Sequence, residues 1–342
     1  MKIYKSIIGE NFKPYIIAEA CINHQGNMKI AKKMIEIAAN CGVSAVKFQF
    51  HILDDEMLRN TPKSKNFKKT LYETLDNTNF NIKEHLELKN LCEKNKIDYL
   101  CTPFSIKSAD ILEKDIKVKV FKTGSGELTN IPFQIHIAKK RIPTIISTGM
   151  SEMNEIAYTI KKVKKYNNNI CITQCTSAYP CPPSISDIGV IKTFKNKFKL
   201  PVGLSDHTNN NYTSFGAIAL GAVLIEKHFT LDKKMNGPDH ASSINPEELK
   251  ELVEGCNAIY SAKSERKVIH KEEKQIISWA RESVVSTKNI KIGERLNKHN
   301  ISVKRPAPNN KEIAPKYFNK IIGKEAKKNI RIDKKIKWSE IE

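Results

Sequence analysis

Short apolar runs recur along the first three-quarters of the chain, each passing into polar or ionisable residues. They are YIIAEACI (15–22), AVKFQF (45–50), DYLCTPF (98–104), VKVFKTGSGE (118–127), PTIISTG (143–149) and ICITQCTSAY (170–179), followed by VGLSDHT from Val202 and VLIEKHFT from Val223. Segments of helical length separate them, among them residues 27–40, 82–95, 152–165 and 246–260. Apolar runs spaced by about one helix read as buried parallel strands. Eight strand–helix alternations predict an α/β protein built on a (β/α)8 TIM barrel, with residues 51–80 as a polar insertion. The polar residues fall at the strand C-terminal ends: Glu19, Lys47, Gln49, Thr102, Lys122, Ser125, Glu127, Ser147, Thr148, Tyr179, Ser205, His207 and His228. A single such group often only satisfies a loop backbone. Delivered by every strand to one mouth, they argue for an active site.

After Ser261 the pattern changes. Residues 262–282 are highly charged and read as a linker or helix, and SVVSTKNIKIGERL, ISVKRPAP and IIGKEAKKNIRIDKKI alternate in short strand-like pieces. The expected division is a barrel over 1–261, a linker over 262–282 and a small domain over 283–342, marginal in size by itself.

Composition narrows the function class. The formal net charge of +21 invites a nucleic-acid reading, yet the lysines are spread over nearly every helix, with no arginine-rich arm or aromatic-interleaved basic motif. A solvated lysine surface whose field favours an anionic substrate accounts for them. No apolar run is long enough to span a membrane, and the N-terminus lacks the apolar core of a signal peptide. Eight scattered cysteines form no C-x-x-C pair, which fits reduced, buried thiols in a cytoplasmic protein.

Three constellations carry candidate chemistry. Lys47, Lys122, Ser125, Ser147 and Ser205, with the Gly124–Gly126 turn, offer ammonium groups, hydroxyls and backbone N–H groups to a phosphate or carboxylate. Lysines snorkelling to the barrel rim are the alternative for Lys47 and Lys122. Glu19 and Glu127 are proton-transfer candidates, or partners of those lysines. His207 and His228, each at the end of an apolar strand, can hold a divalent ion with sites free for water and substrate; two hydrogen-bonded strand-end histidines are the plainer reading. The loop Asn236-Gly237-Pro238-Asp239-His240 presents Asp239 beside His228, either toward sugar hydroxyls or as ordinary turn chemistry. His24 and His51 receive no metal role.

The stretches AEACINHQGN, VKFQ, CTPF, KTGSGE, ISTGM, CTSAYP, GLSDHT, IEKHFTLDK, GPDHAS and VKRP, in this order from about Tyr15 to the C-terminus, resemble the sialic acid synthase (N-acetylneuraminate synthase) family. The resemblance implies a TIM barrel followed by a small antifreeze-like (SAF) domain, in a domain-swapped homodimer. It implies condensation of phosphoenolpyruvate with an N-acyl-mannosamine-type sugar, releasing phosphate and forming a nine-carbon 2-keto acid. By the same resemblance His207 and His228 are ligands of a divalent metal, typically Mn2+, with Mg2+ or Co2+ as substitutes. Lys47, Thr102, Lys122, Ser125, Ser147 and Ser205 correspond to the phosphoenolpyruvate site. Glu19 corresponds to the acid/base residue, and Glu127 to a carboxylate that stabilises a cationic intermediate. Gln49, Tyr179 and Asp239 correspond to sugar contacts, and Arg305 to an arginine reaching the N-acyl group across the dimer.

Two departures stand out. Ser177 occupies the place of the usual Asn in CTSAYP and is kept as a binding candidate, and Ala307-Pro308-Asn309-Asn310 replaces the usual Gly-containing loop after Arg305-Pro306. GPDHAS is closer to sialic and legionaminic than to pseudaminic acid synthases, and HILDDEM resembles certain bacterial sialic acid synthases. N-acetylmannosamine is therefore the first substrate expected, with a 2,4-diacetamido-trideoxy hexose (legionaminic or pseudaminic acid synthase) as the alternative. A non-catalytic sugar-binding barrel is the rival from a different class.

Overall fold

A short antiparallel hairpin, β1 (Lys2–Ile3) and β2 (Ser6–Ile7), precedes eight parallel strands that close on themselves in chain order. These are β3 (Tyr15–Glu19), β4 (Ala45–Phe50), β5 (Asp98–Pro103), β6 (Phe121–Thr123), β7 (Thr144–Ser147), β8 (Ile170–Cys175), β9 (Val202–Asp206) and β10 (Leu224–His228), with β10 pairing back to β3. The computed structural model of the protein describes residues 1–4, 6–62 and 69–342, which divide into the units Met1–Ser264 and Glu265–Glu342. Among the described residues, no helix is long and apolar enough to cross a membrane.

The barrel has the eight strand–helix alternations that the apolar runs predict. Its helices are α1 (Met28–Asn40), α2 (Leu53–Glu56), α3 (Leu71–Thr78), α4 (Ile82–Lys94), α5 (Ile106–Lys114), α6 (Ile131–Lys139), α7 (Met153–Val163), α8 (Val190–Phe198), α9 (Tyr212–Ala219) and α10 (Pro246–Ala262). Caps fix several starts: Asn27 accepts from two backbone N–H groups of α1, and Asn81 and Asn245 form capping boxes with Glu84 and Glu248. The polar insertion contains α2 and α3, which pack Leu53 and Leu75 against Cys21 and Ile22. Gly26, at φ +68°, lets the chain after β3 lie against it, since a Cβ there would stand 2.5 Å from the Asn77 carbonyl oxygen. Residues 63–68 of that insertion lie outside the described residues.

The two-residue period of the strands positions the site. Ile17, Ala45, Leu100, Val120, Ile145, Cys171 and Leu224 form an inner apolar floor together with Ile3 and Ile8 beside the hairpin. Two residues further along, the same strands present Glu19, Lys47, Thr102, Lys122, Ser147, Thr173 and Glu226. Gly203 takes the floor position of β9, where a Cβ would come within 2.7 Å of the Leu224 carbonyl oxygen; Ser205 follows it. Alternate residues such as Val46, Phe48, Tyr99, Phe121 and Ile172 face the helices and build the outer core.

The same period splits the ionisable clusters that end β9 and β10, Ser205-Asp206-His207 and Glu226-Lys227-His228. Asp206 and Lys227, with fully buried side chains, pair at 2.9 Å away from the inner face. Asp206 accepts from the hydroxyls of Thr213 and Ser214, while Lys227 donates to the Thr208 carbonyl at 2.8 Å, so the pair ties β9 and β10 to α9. Strand β3 ends at Glu19, short of the expected Ile22. Cys21 turns at φ +44°, and the Asn23 side chain donates to the Phe229 carbonyl and Ser243 hydroxyl, both at 2.9 Å. The expected strand and loop over 118–127 are β6 and the turn through Gly124–Gly126.

The second unit contains α11 (Glu273–Ala280), the antiparallel pair β11 (Ser283–Ser286) and β12 (Ile301–Lys304), and the short α12 (Phe318–Ile321). Its core includes Val284, Ile290, Leu296, Ile301, Ile330 and Ile336. NIKIGERL and NIRIDKKI meet as related halves: Ile290 and Ile330 exchange backbone hydrogen bonds of 2.8 Å. The Asn329 side chain accepts from the Ile292 N–H, and Asn289 reciprocally accepts from Ile332, both at 2.9 Å. These side-chain bonds take the place of ladder bonds, so the third strand-like stretch forms isolated bridges instead of a strand.

Candidate active site

The C-terminal ends of the barrel strands enclose a cavity of about 500 Å³. Glu19, Lys47, Gln49, Thr102, Lys122, Ser125, Glu127, Ser147, Ser177, Tyr179, Ser205, His207, His228 and Asp239 all line it. Arg305 belongs to the second unit, where its guanidinium lies 5.8 Å from the centroid of the Trp279 ring.

The cavity floor is a buried charge network. Lys47 and Lys122 do not snorkel to the rim; both are almost wholly buried. Lys47 Nζ lies 2.9 Å from Glu19 and 3.6 Å from Glu226, and donates to the Thr102 hydroxyl at 3.1 Å. Lys122 Nζ lies 3.7 Å from Glu226 and donates to the Ser147 hydroxyl at 2.9 Å. Ser205 donates to Glu226 at 3.0 Å. Register explains the grouping, because Glu19 pairs with Lys47 on one side and His228 on the other, and Ser205 pairs with Glu226.

These surroundings drive the carboxyls apart. Burial works against the charge of Glu226, but Lys122 and Lys47 outweigh it and hold this carboxyl well below its usual range. Burial raises the pKa of Glu19 despite Lys47. Burial also pushes Glu127 up to about 7, against the pull of Lys122. Glu127 Oε2 is buried with no hydrogen-bond partner among the described residues, over Gly124, where a Cβ would collide with that oxygen. One carboxyl fixed as an anion and two poised to hold a proton is the division acid–base chemistry uses. Burial lowers the pKa of Lys122 even beside Glu226, whereas Glu19 and Glu226 overcome burial at Lys47 and raise it.

On the other wall the His207 and His228 rings lie 5.4 Å apart, with the Tyr179 ring 4.2 Å from His207. His207 Nδ1 is 2.9 Å from the Thr176 carbonyl, so Nδ1 carries the proton and Nε2 keeps its lone pair. Burial brings His228 down to about 4, leaving the imidazole neutral, and its Nδ1 has no partner among the described residues. Burial works against the charge of His207, but Cys175 and the Thr176 carbonyl outweigh it and raise its pKa. A neutral His228 and the Nε2 of His207, side by side at the cavity, are ring nitrogens that fit a divalent ion once His207 gives up its extra proton. One ring nitrogen of His228 also lies within 4.8 Å of Cys21 Sγ and an Asp239 carboxylate oxygen.

Glu226, Cys21 and Cys175 line the cavity without having been singled out for it in the sequence. The strand period places Glu226 beside His228 on the inner face, and that is the signal for it. No local pattern marks the cysteines, which read as buried apolar residues. Burial would raise Cys175, but His207 outweighs it and brings the thiol to about 7.

The model of the NeuB family matches residues 34–268, and that of the SAF domain matches residues 281–342. The chain is 38% identical to N,N'-diacetyllegionaminic acid synthase of Campylobacter jejuni, over 95% of this chain and 99% of that protein. It is 34% identical to human N-acetylneuraminate-9-phosphate synthase, over 75% of this chain and 72% of that one. Among solved structures, N-acetylneuraminic acid (sialic acid) synthetase from Leptospira borgpetersenii, in complex with citrate, superposes with a TM-score of 0.74 at 30% identity, covering 81% of this chain and 94% of the other. With its closed barrel, its SAF domain and this extent of identity, the chain belongs to the NeuB family of sialic-acid-synthase-type enzymes.

Proposed function

We propose that the protein condenses phosphoenolpyruvate with N-acetylmannosamine, releasing phosphate and forming a nine-carbon 2-keto acid. The observation that carries this reading is the pair of buried ammonium groups, Lys47 and Lys122, set among hydroxyls in the cavity that also holds two free imidazole nitrogens. Phosphoenolpyruvate brings a phosphate and a carboxylate. Lys47 and Lys122, with Thr102, Ser125, Ser147, Ser177 and Ser205, would bind them through charge-assisted hydrogen bonds. Glu226, held ionised between the lysines, fixes both ammonium groups in place.

A divalent ion on His207 and His228 would supply Lewis-acid polarisation of the sugar aldehyde and orientation of a water. The enol carbon of phosphoenolpyruvate attacks the aldehyde carbon, and the aldehyde oxygen takes up a proton, which Glu19 would supply. Glu127, once it has given up its proton, would stabilise the positive charge left at the former enol carbon. Water adds there and loses a proton; the tetrahedral centre then expels phosphate to leave the ketone. Gln49, Tyr179 and Asp239 would hold the sugar. In the same reading the protein acts as a homodimer in which Arg305 of one subunit serves the barrel of the other.

A 2,4-diacetamido-trideoxy hexose is the second reading. It is supported by the Campylobacter relative and by an annex beside Gln49 and Asp239 whose wall includes Ile22, Met57, Leu71 and Leu75. Such a wall suits methyl groups better than hydroxyls. Phosphate release from phosphoenolpyruvate, measured with each sugar, decides between them, and release with neither sugar would return the barrel to a binding role.

A further inference from the structure

We infer that Cys21 is a ligand of the metal site, so that a thiolate, His228 and Asp239 hold the ion together. The three donors sit on different segments: Cys21 just past β3, His228 at the end of β10, and Asp239 in the loop after it. Their donor atoms all lie within 4.8 Å of one another, and Cys21 Sγ donates to Asp239 Oδ2 at 3.0 Å. An ion bound tetrahedrally at about 2.0–2.3 Å from each donor sets the donors about 3.3–3.8 Å apart, so the three need draw in by about 1 Å or less to hold it.

Three further features point the same way. Cys21 adopts a left-handed backbone, φ +44°, which is uncommon for a residue with a side chain and fixes where its sulfur points. The loop bearing Asp239 is anchored independently: Gln25 donates to the Asn236 carbonyl at 2.6 Å, and Thr230 bonds the His240 ring at 2.7 Å. His228, buried and lining the cavity, has a ring nitrogen with no partner among the described residues. A buried thiol bonded to a carboxylate beside a bare imidazole is a proton occupying the place of a cation. On binding, the ion takes that place, the thiol proton leaves to solvent, and the sulfur coordinates as thiolate.

Asp239 thereby becomes a metal ligand in addition to, or in place of, a sugar contact. A sulfur donor also changes the metals the site selects, favouring Co2+, Zn2+ and Fe2+ over Mg2+. The inference rests on the metal-assisted reading of the site and on neither substrate.

The test uses the full-length protein, stripped with a chelator and reloaded with Co2+ with no substrate present. The wild-type protein should show a near-ultraviolet sulfur-to-cobalt charge-transfer band. Cys21→Ser should lose that band and bind Co2+ at least ~10- to 100-fold more weakly, the loss that removing even an outer partner of a ligand causes. Asp239→Asn should weaken binding and keep the band. Absence of the band from wild-type protein, or its survival in Cys21→Ser, overturns the inference. Its loss in Cys175→Ser with retention in Cys21→Ser would assign the thiolate to the wrong cysteine and equally overturn it. Should Cys21→Ser not fold, zinc-edge X-ray absorption of the wild-type protein gives the same answer: a sulfur at about 2.3 Å supports the assignment, and a shell of nitrogen and oxygen alone refutes it. Because no turnover is read, either result stands apart from whether the protein condenses phosphoenolpyruvate.

Discussion

Glu127 holds its proton to about pH 7 in the folded chain because burial disfavours the charge, whereas its ordinary value is 4.5. Below 4.5 the carboxyl is neutral in both states. As the pH rises through 7, the native state must bury an anion that the unfolded chain solvates, and stability is lost. Urea unfolding at pH 5 and pH 8 should therefore show Glu127→Gln gaining on the parent by on the order of 3 kcal/mol across that window; parallel pH dependences would refute the buried-acid picture. Lys122→Met strips Glu226 of one of its two ammonium partners. It should cost about 3–5 kcal/mol of stability, as breaking a buried pair does. It should also raise KM for phosphoenolpyruvate on the order of 10- to 100-fold, the effect of losing a hydrogen bond from a charged group. Unchanged KM in a folded variant would remove Lys122 from the anion site. The lysines themselves are legible in the sequence as charges inside apolar strands. Glu226 is legible only through the strand period, because its partners come from β4 and β6, distant in the chain.

At the scale of elements, the site depends on a floor that is apolar and tightly packed two residues below it. Gly203 completes that floor, with no room for a methyl group beside the Leu224 carbonyl. Gly203→Ala should cost about 1–3 kcal/mol, the range for overpacking a core, read as a lower urea midpoint; an unchanged midpoint would mean that β9 and β10 have slack. The apolar runs mark where the strands lie because a strand buried on both faces has no other composition. They do not mark where the strands stop. The run from Tyr15 continues to Ile22, yet β3 ends at Glu19, because the left-handed Cys21 and the bonds from Asn23 to Phe229 and Ser243 turn the chain. Those partners lie more than two hundred positions away, so no local pattern reports them. The cluster of Cys21 with Asp239 escapes a sequence reading for the same reason.

At the scale of the molecule, the chain consists of a barrel unit and a SAF unit, and the proposed function assigns the second unit's Arg305 to a partner's barrel. Subunit mixing tests that assignment. Arg305→Ala and Glu19→Gln proteins, each inactive or nearly so, should recover activity after exchange, since a mixed dimer then has one site with an intact barrel and an intact arginine. No recovery after proven exchange would place the arginine with its own barrel or away from the site. The barrel and its polar mouth follow from chain pattern alone, whereas the annex wall that supports the second sugar reading includes Leu71 and Leu75, which read in sequence only as part of a polar insertion. The most direct test of the central claim is phosphate release from phosphoenolpyruvate in the presence of Mn2+, with N-acetylmannosamine or a 2,4-diacetamido-trideoxy hexose, before and after EDTA. The account predicts release that requires the sugar, is faster with N-acetylmannosamine, and is abolished by EDTA. Release without any sugar, or no release under any of these conditions, would contradict it.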